Sequence, residues 1–93
     1  MALTAAIEAK TAAETSAAIS LSGPTEFKAD DLSDGESIVF QRIRVDGTYE
    51  TAVTGSGPIV LTKQQPSFII EGYSEIKVVK GVTTETVAVG YAS

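Results

Sequence analysis

From residue 19 onward, apolar and polar positions alternate over short runs, and turn residues cut each run after a few positions. Ile19 and Leu21 alternate before Gly23-Pro24, and Glu26-Phe27-Lys28 reads as a second short strand. Residues 36–45 carry the strongest strand signal, but their alternation slips: Ile38 and Phe40 share one parity, Ile43 and Val45 the other. One extra residue flips the facing of a strand, so the slip predicts a bulge near Gln41-Arg42. Asp46-Gly47 predicts a two-residue hairpin turn into a strand from Thr48 to Val53. Gly55-Ser56-Gly57-Pro58 breaks that strand, and Ile59 and Leu61 lead the next, which Gln64-Gln65-Pro66 ends. Strands follow over Ser67 to Ile70, Glu75 to Val79 and Thr83 to Tyr91, with turns at Glu71-Gly72 and Lys80-Gly81. The last of these places Val87, Val89 and Tyr91 on one face.

Seven or eight short strands at near-regular spacing predict an all-β domain over residues 19–93. The expected form is a small antiparallel β-sandwich, Ig-like or jelly-roll-like, or a small barrel. Without a helical period in this stretch, βαβ units are not expected. The N-terminal stretch 1–18 differs: residues 2–18 are Ala-rich and hold only Leu3 and Ile7 as bulky apolar groups before the strands begin. The two are four apart, so one helical turn would align them, yet so short a helix is marginal alone. The segment reads as an arm or short helix on a partner, a frayed terminus, or a helix capping its own domain. In the first case Leu3 and Ile7 are the partner-contacting residues.

At 93 residues, the chain has room for one domain with a thin core. It has no Trp, so Ile, Val and Leu must fill that core. It carries neither Cys nor His. That removes disulfides, thiol nucleophiles, Ser-His-Asp or Cys-His catalysis and the usual zinc ligands. Carboxylates, Lys and Tyr remain for acid–base work, and short strands seldom form the cleft that a carboxylate pair needs. No enzymatic activity and no cofactor are expected.

The net charge is −5, carried by residues 1–37, whereas residues 38–93 balance. An acidic chain repels phosphate backbones, so nucleic acid is not an expected partner. No run approaches the ~20 apolar residues of a membrane helix, and no membrane partner is expected. The start lacks a cationic segment followed by an apolar core, so no secretory signal is expected.

Three polar clusters invite a functional reading. Asp30, Asp31, Asp34 and Glu36 surround Gly35, and hard cations take such oxygen ligands. Leu32 occupies one ligand slot of the calcium-loop pattern, which favours a solvated turn. Arg42 and Arg44 are two apart on the strongest strand and share a face. They are placed to bridge Glu50 on the adjacent strand or a partner's carboxylate. Thr83-Thr84-Glu85-Thr86 reads as a solvent-facing strand.

The succession Thr15 to Pro24, Leu32-Ser-Asp-Gly-Glu-Ser-Ile-Val-Phe-Gln41, Gly57-Pro-Ile-Val-Leu61 and Gly72-Tyr-Ser-Glu-Ile-Lys-Val-Val79 resembles small β-sandwich virion proteins of short-tailed bacteriophages. The resemblance spans roughly residues 15–90. Those chains often carry Pro-Gly before the late strand, where this one has Glu71-Gly72. The resemblance implies a structural role, foremost a capsid decoration or cement protein that stabilises the shell. Its implied partners are the major capsid protein or other virion proteins and further copies of itself, in the virion after synthesis in the host cytoplasm. A tail or head-tail component is the alternative within that family. A carbohydrate-binding or adhesin-like sandwich is the alternative outside it, with Tyr49, Tyr73 and Tyr91 as the aromatics able to stack on sugars.

Overall fold

Short β-branched runs separated by Gly, Pro and Asp turns form strands throughout the computed structural model, which describes residues 3–92. The strands are β1 (Thr4–Lys10), β2 (Glu14–Thr15), β3 (Ile19–Ser20), β4 (Thr25–Ala29), β5 (Ser37–Ile43) and β6 (Tyr49–Thr51). They continue with β7 (Val53–Thr54), β8 (Gly57–Pro58), β9 (Val60–Thr62), β10 (Ser67–Ile70), β11 (Glu75–Lys80) and β12 (Val87–Ala92). One sheet has the order β1-β12-β4-β10. The other has the order β2-β11-β5-β6, with β3 also on β11 and β9 also on β5. Strands β7 and β8 form a separate hairpin.

All these pairings are antiparallel, and the pairs nest. Strand β1 meets β12, β2 and β3 meet β11, β4 meets β10, and β5 meets β6 and β9. The chain is thus one long hairpin rolled into two facing sheets, which is the jelly-roll form of the sandwich. The expected all-β sandwich is what the chain adopts.

The core lies between the sheets, where alternate residues of each strand point inward. Ile7, Phe27, Ala29, Ile70, Val87 and Val89 face Ile38, Phe40, Leu61, Ile76 and Val78, all buried. The Phe27 and Phe40 rings meet edge to face at 5.2 Å, and Tyr91 stacks on Phe27 at 5.6 Å. The Phe27–Phe40 contact joins the two sheets, while Tyr91 stacks on Phe27 within one sheet. Lys80 also points inward and is buried. Its ammonium donates to the Ala12 carbonyl at 2.7 Å and the Gly81 carbonyl at 3.1 Å, which ties the N-terminal segment to the end of β11.

The structure corrects several expectations. Residues 4–10 are neither arm nor helix: they form β1, paired with β12. Once β12 supplies the missing half of each backbone hydrogen bond, Ala-rich sequence no longer favours helix, and Ile7 reaches the core. No bulge interrupts β5, whose register with β11 runs unbroken from Ile38↔Lys80 to Arg42↔Ile76. The parity slip arises because Ile43 lies half-buried on the outer face and Val45 sits in the turn, fully exposed.

That turn has three residues rather than two. The Gly47 amide donates to the Arg44 carbonyl, the Arg44 amide donates to the Thr48 carbonyl, and Gly47 has φ 89°. This is the type I turn plus left-handed glycine that closes three-residue hairpins. Thr83 to Thr86 form a loop, and β12 begins at Val87. Thr83 is buried, its amide on the Thr11 carbonyl and its hydroxyl on the Glu85 carbonyl.

Candidate functional site

A jelly roll of this kind has open edges on both sheets, and an open edge offers unpaired backbone groups to another chain. Three of the four edges are interrupted. Strand β1 changes register between Ala5 and Ile7 and again between Ile7 and Lys10. Strands β2 and β3 are two residues each, separated by Ser16 to Ala18. At that gap the Ser16 amide donates to the Val78 carbonyl, and its hydroxyl accepts from the Val78 amide at 2.9 Å. Strands β6 and β9 share one edge of β5, and the β7–β8 hairpin leaves the sheet between them.

Strand β10 is the fourth edge, and it is regular. It pairs with β4 in unbroken register from Ser67↔Lys28 to Ile70↔Thr25. The Ala29 amide donates to the Pro66 carbonyl at 2.9 Å, so residues 66, 68 and 70 bond inward to β4. The backbone groups of Ser67 and Ile69 therefore point away from the sheet. Among the described residues they meet no partner strand.

The side chains along this edge are apolar. Ile69 is 59% exposed, Phe68 is half-buried and Ile70 is buried. Across from them stand Val53, 48% exposed, and Ile59 at the root of the β7–β8 hairpin. Together with Thr54, Glu71 and Tyr73 these residues line a groove of about 270 Å³. That lies just below the ~300–1,000 Å³ of small-molecule pockets, and a groove of mixed apolar and polar lining beside an unpaired strand suits an added strand of protein. The hairpin wall is held by Tyr73, whose hydroxyl donates to the Val53 carbonyl and accepts from the Val53 amide.

The residues singled out from sequence lie elsewhere. Ile7 is buried in the chain's own core and is removed as a contact residue. Leu3 is half-buried and lies across Gly90 of β12, where an added Cβ would come within 2.7 Å of the Leu3 Cβ. Both serve the fold, because β1 is an integral strand. Arg42 and Arg44 do converge, on one carboxylate: Glu50 Oε1 lies 2.8 Å from Arg42 Nη2 and 3.7 Å from Arg44 Nε. The Arg42 guanidinium also lies over the Tyr73 ring, 5.8 Å from its centroid. The intramolecular bridge to Glu50 accounts for Arg42, while Arg44 remains 54% exposed. At this exposure such bridges contribute at most about 1 kcal/mol each.

The acidic loop is organised from within. The Glu36 carboxylate accepts the Ser33 and Thr84 amides, both at 2.8 Å. These two bonds, Ser33's first, hold its pKa below the ordinary range. Asp31 takes a left-handed conformation at φ 69°, and Lys63 lies 3.7 Å from Asp34. Among the described residues no acidic group is arranged to hold a metal ion. The other two tyrosines, like Tyr73, are engaged. Tyr49 hydrogen-bonds Glu75, which raises its pKa, and the Lys77 ammonium lies 4.3 Å from the centre of its ring. Tyr91 is half-buried and stacks on Phe27 at the border of the core.

The groove was not among the sequence expectations, although a signal exists. Phe68-Ile69-Ile70 is apolar at three consecutive positions, so both faces of β10 are apolar where a sandwich edge needs only one. No family model matches this chain, and comparison with curated proteins and with solved structures finds no significant similarity.

Proposed function

We propose that this protein is a non-catalytic structural component that works by binding other proteins, and specifically a decoration or cement protein on the capsid of a tailed bacteriophage. The observation that carries the reading is the β10 edge: an unbroken strand with outward backbone groups, an exposed Ile69 and a groove beside it walled by Val53 and Ile59. Exposed apolar surface next to an open strand is what a protein contact covers. Supporting it are the absence of His and Cys from the sequence and a jelly-roll topology, a form common among viral coat and lectin domains. The motif resemblance running through Leu32 to Gln41 and Gly72 to Val79 supplies the bacteriophage context.

The carbohydrate-binding alternative is weakened by the tyrosines. Tyr49 and Tyr73 are tied by their hydroxyls and have Lys77 and Arg42 over their rings, and half-buried Tyr91 stacks on Phe27, so each already has partners within the fold.

The test is co-sedimentation of the purified protein with capsids of the phage that encodes it, scored as copies bound per shell. Saturation at a number set by the lattice symmetry supports decoration. Absence from the shell with recovery in the tail fraction replaces it by the tail reading, and absence from both overturns the virion role.

A further inference from the structure

We infer that the β10 edge pairs with the β10 edge of a second copy of this chain, joining two sandwiches through one continuous antiparallel sheet about a two-fold axis. This deepens the protein-binding reading of that edge by naming its occupant.

The outward groups fix the possible registers. Only Ser67 and Ile69 present backbone groups to a new strand, so hydrogen-bonded pairs must be built from them. Three two-fold registers do this: Ser67 opposite Ser67, Ile69 opposite Ile69, or Ser67 opposite Ile69. The last engages both residues of both copies within the four-residue strand, and every outward amide and carbonyl finds a partner. The first leaves each Ile69 opposite Gln65, beyond the end of β10. The second leaves each Ser67 opposite Glu71, again beyond the strand.

Charge adds a small bias toward the same register. On the outer face of the sheet Ile69 sits beside Glu26 of β4, and Ser67 sits beside Lys28. With Ser67 opposite Ile69, each row across the four strands runs Glu26, Ile69, the second copy's serine, the second copy's lysine. The row ends carry opposite signs. They stand three strand spacings apart, roughly 14 Å between backbones, beyond the screening length of about 8–10 Å at physiological salt, so the attraction is small. The other registers place lysine against lysine or glutamate against glutamate in one row. Like charges at the row ends disfavour them slightly, most at low ionic strength.

The inner face completes the fit. The same axis puts Phe68 directly opposite Phe68 as a non-hydrogen-bonded pair, the closer kind of cross-strand pair. Both rings enter the grooves walled by Val53 and Ile59. Exposed Ile69 is covered by the second copy's β10, and Val53 gains an apolar neighbour. A two-fold contact of this type is isologous, so one patch serves both chains and assembly stops at the dimer.

Sedimentation velocity and light scattering on the full chain test the proposal. The expected species is a dimer of twice the 9.7 kDa chain mass. Ile69→Lys places a charge in the interface without touching the core, and is expected to raise the dissociation constant at least about tenfold. Ser67→Pro removes an outward amide but no bond to β4, and is expected to weaken the dimer while circular dichroism stays unchanged. At low ionic strength, where the row ends are least screened, Glu26→Lys alone weakens it slightly, and Glu26→Lys with Lys28→Glu restores it, because the rows regain opposite ends. Val82→Lys, at an exposed valine away from β10, leaves it intact.

A protein that stays monomeric at every concentration overturns the proposal. So does a dimer indifferent to Ile69→Lys and Ser67→Pro, or a β10 edge that instead takes up an extended segment of another protein while the chain remains a monomer. Capsid binding by a monomer would leave the virion role standing without the dimer, and a dimer that ignores capsids would do the reverse.

Discussion

The Tyr73 hydroxyl engages both backbone groups of Val53, donating to its carbonyl at 2.6 Å and accepting from its amide at 3.2 Å. A side chain here does the work of a neighbouring strand. It fixes the point where the β7–β8 hairpin leaves the second sheet, and with it the far wall of the groove beside β10. Tyr73→Phe removes both bonds and keeps the ring under Arg42. The expected loss is about 0.5–1.5 kcal/mol of stability, with faster amide exchange at Val53 and an unchanged core. Exchange at Val53 no faster than in the unmodified chain would show that the hairpin holds itself.

Lys80 is buried on the inner face of β11, and its ammonium caps the carbonyls of Ala12 and Gly81. Lys80→Met keeps the aliphatic stem but strands both carbonyls, and is expected to cost about 1–3 kcal/mol. Lys77→Met, on the outer face of the same strand over Tyr49, is expected to cost no more than ~1 kcal/mol. Urea denaturation of the two variants separates them, and equal losses would contradict the role given to Lys80.

The N-terminal segment belongs to the fold. Deleting residues 1–10 removes β1 and with it the buried Ile7, so the truncated chain is expected to lose cooperative unfolding. Ile7→Ala alone is expected to cost about 2–5 kcal/mol, a large share of the 5–15 kcal/mol typical of a domain. Gly90→Ala drives a methyl into Leu3 and is expected to destabilise by about 1–3 kcal/mol. Thermal unfolding checks all three. A truncated chain that melts as the full chain does would restore the segment to a detachable arm.

Glu36 links the loop before β5 to the loop before β12 through the Ser33 and Thr84 amides. Those bonds favour the carboxylate, so its folded pKa lies below its unfolded one. The contribution is full above the ordinary glutamate range, ~4.3, and fades as pH falls through the lower folded value. Glu36→Gln is therefore expected to destabilise at pH 7 and to converge with the unmodified chain in acid. Denaturation midpoints across that range check it, and a difference that does not change with pH would contradict it. Asp46, held low by the Thr48 hydroxyl and amide, adds to the same acid sensitivity.

Most of the strands were legible because their core positions obey period two and Gly, Pro and Asp mark their ends. Ser67–Ile70 has the expected bounds, and Val87 and Val89 share the expected buried face. The misreadings share a physical origin: a tertiary partner decided what local pattern could not. Ala-rich residues 4–10 became a strand because β12 lay beside them. The Ile43 and Val45 parity suggested a bulge because burial on the outer face and exposure in a turn look alike in a string of letters. The site was less legible still. Arg42 and Arg44 were found with their partner Glu50, but an open edge is a property of sheet order, and no run of residues states which strand ends a sheet. The three consecutive apolar residues of β10 were its one local mark.

Amide hydrogen exchange at Ser67 and Ile69, followed from dilute to concentrated protein, tests most directly the claim that the β10 edge pairs with the β10 edge of a second copy of this chain. Both amides are expected to exchange freely when dilute and to slow at least about tenfold on concentration, while the Phe68 amide, bonded to β4, stays slow throughout. Exchange at Ser67 and Ile69 that is equally fast at every concentration, or already slow in the dilute chain, would contradict it.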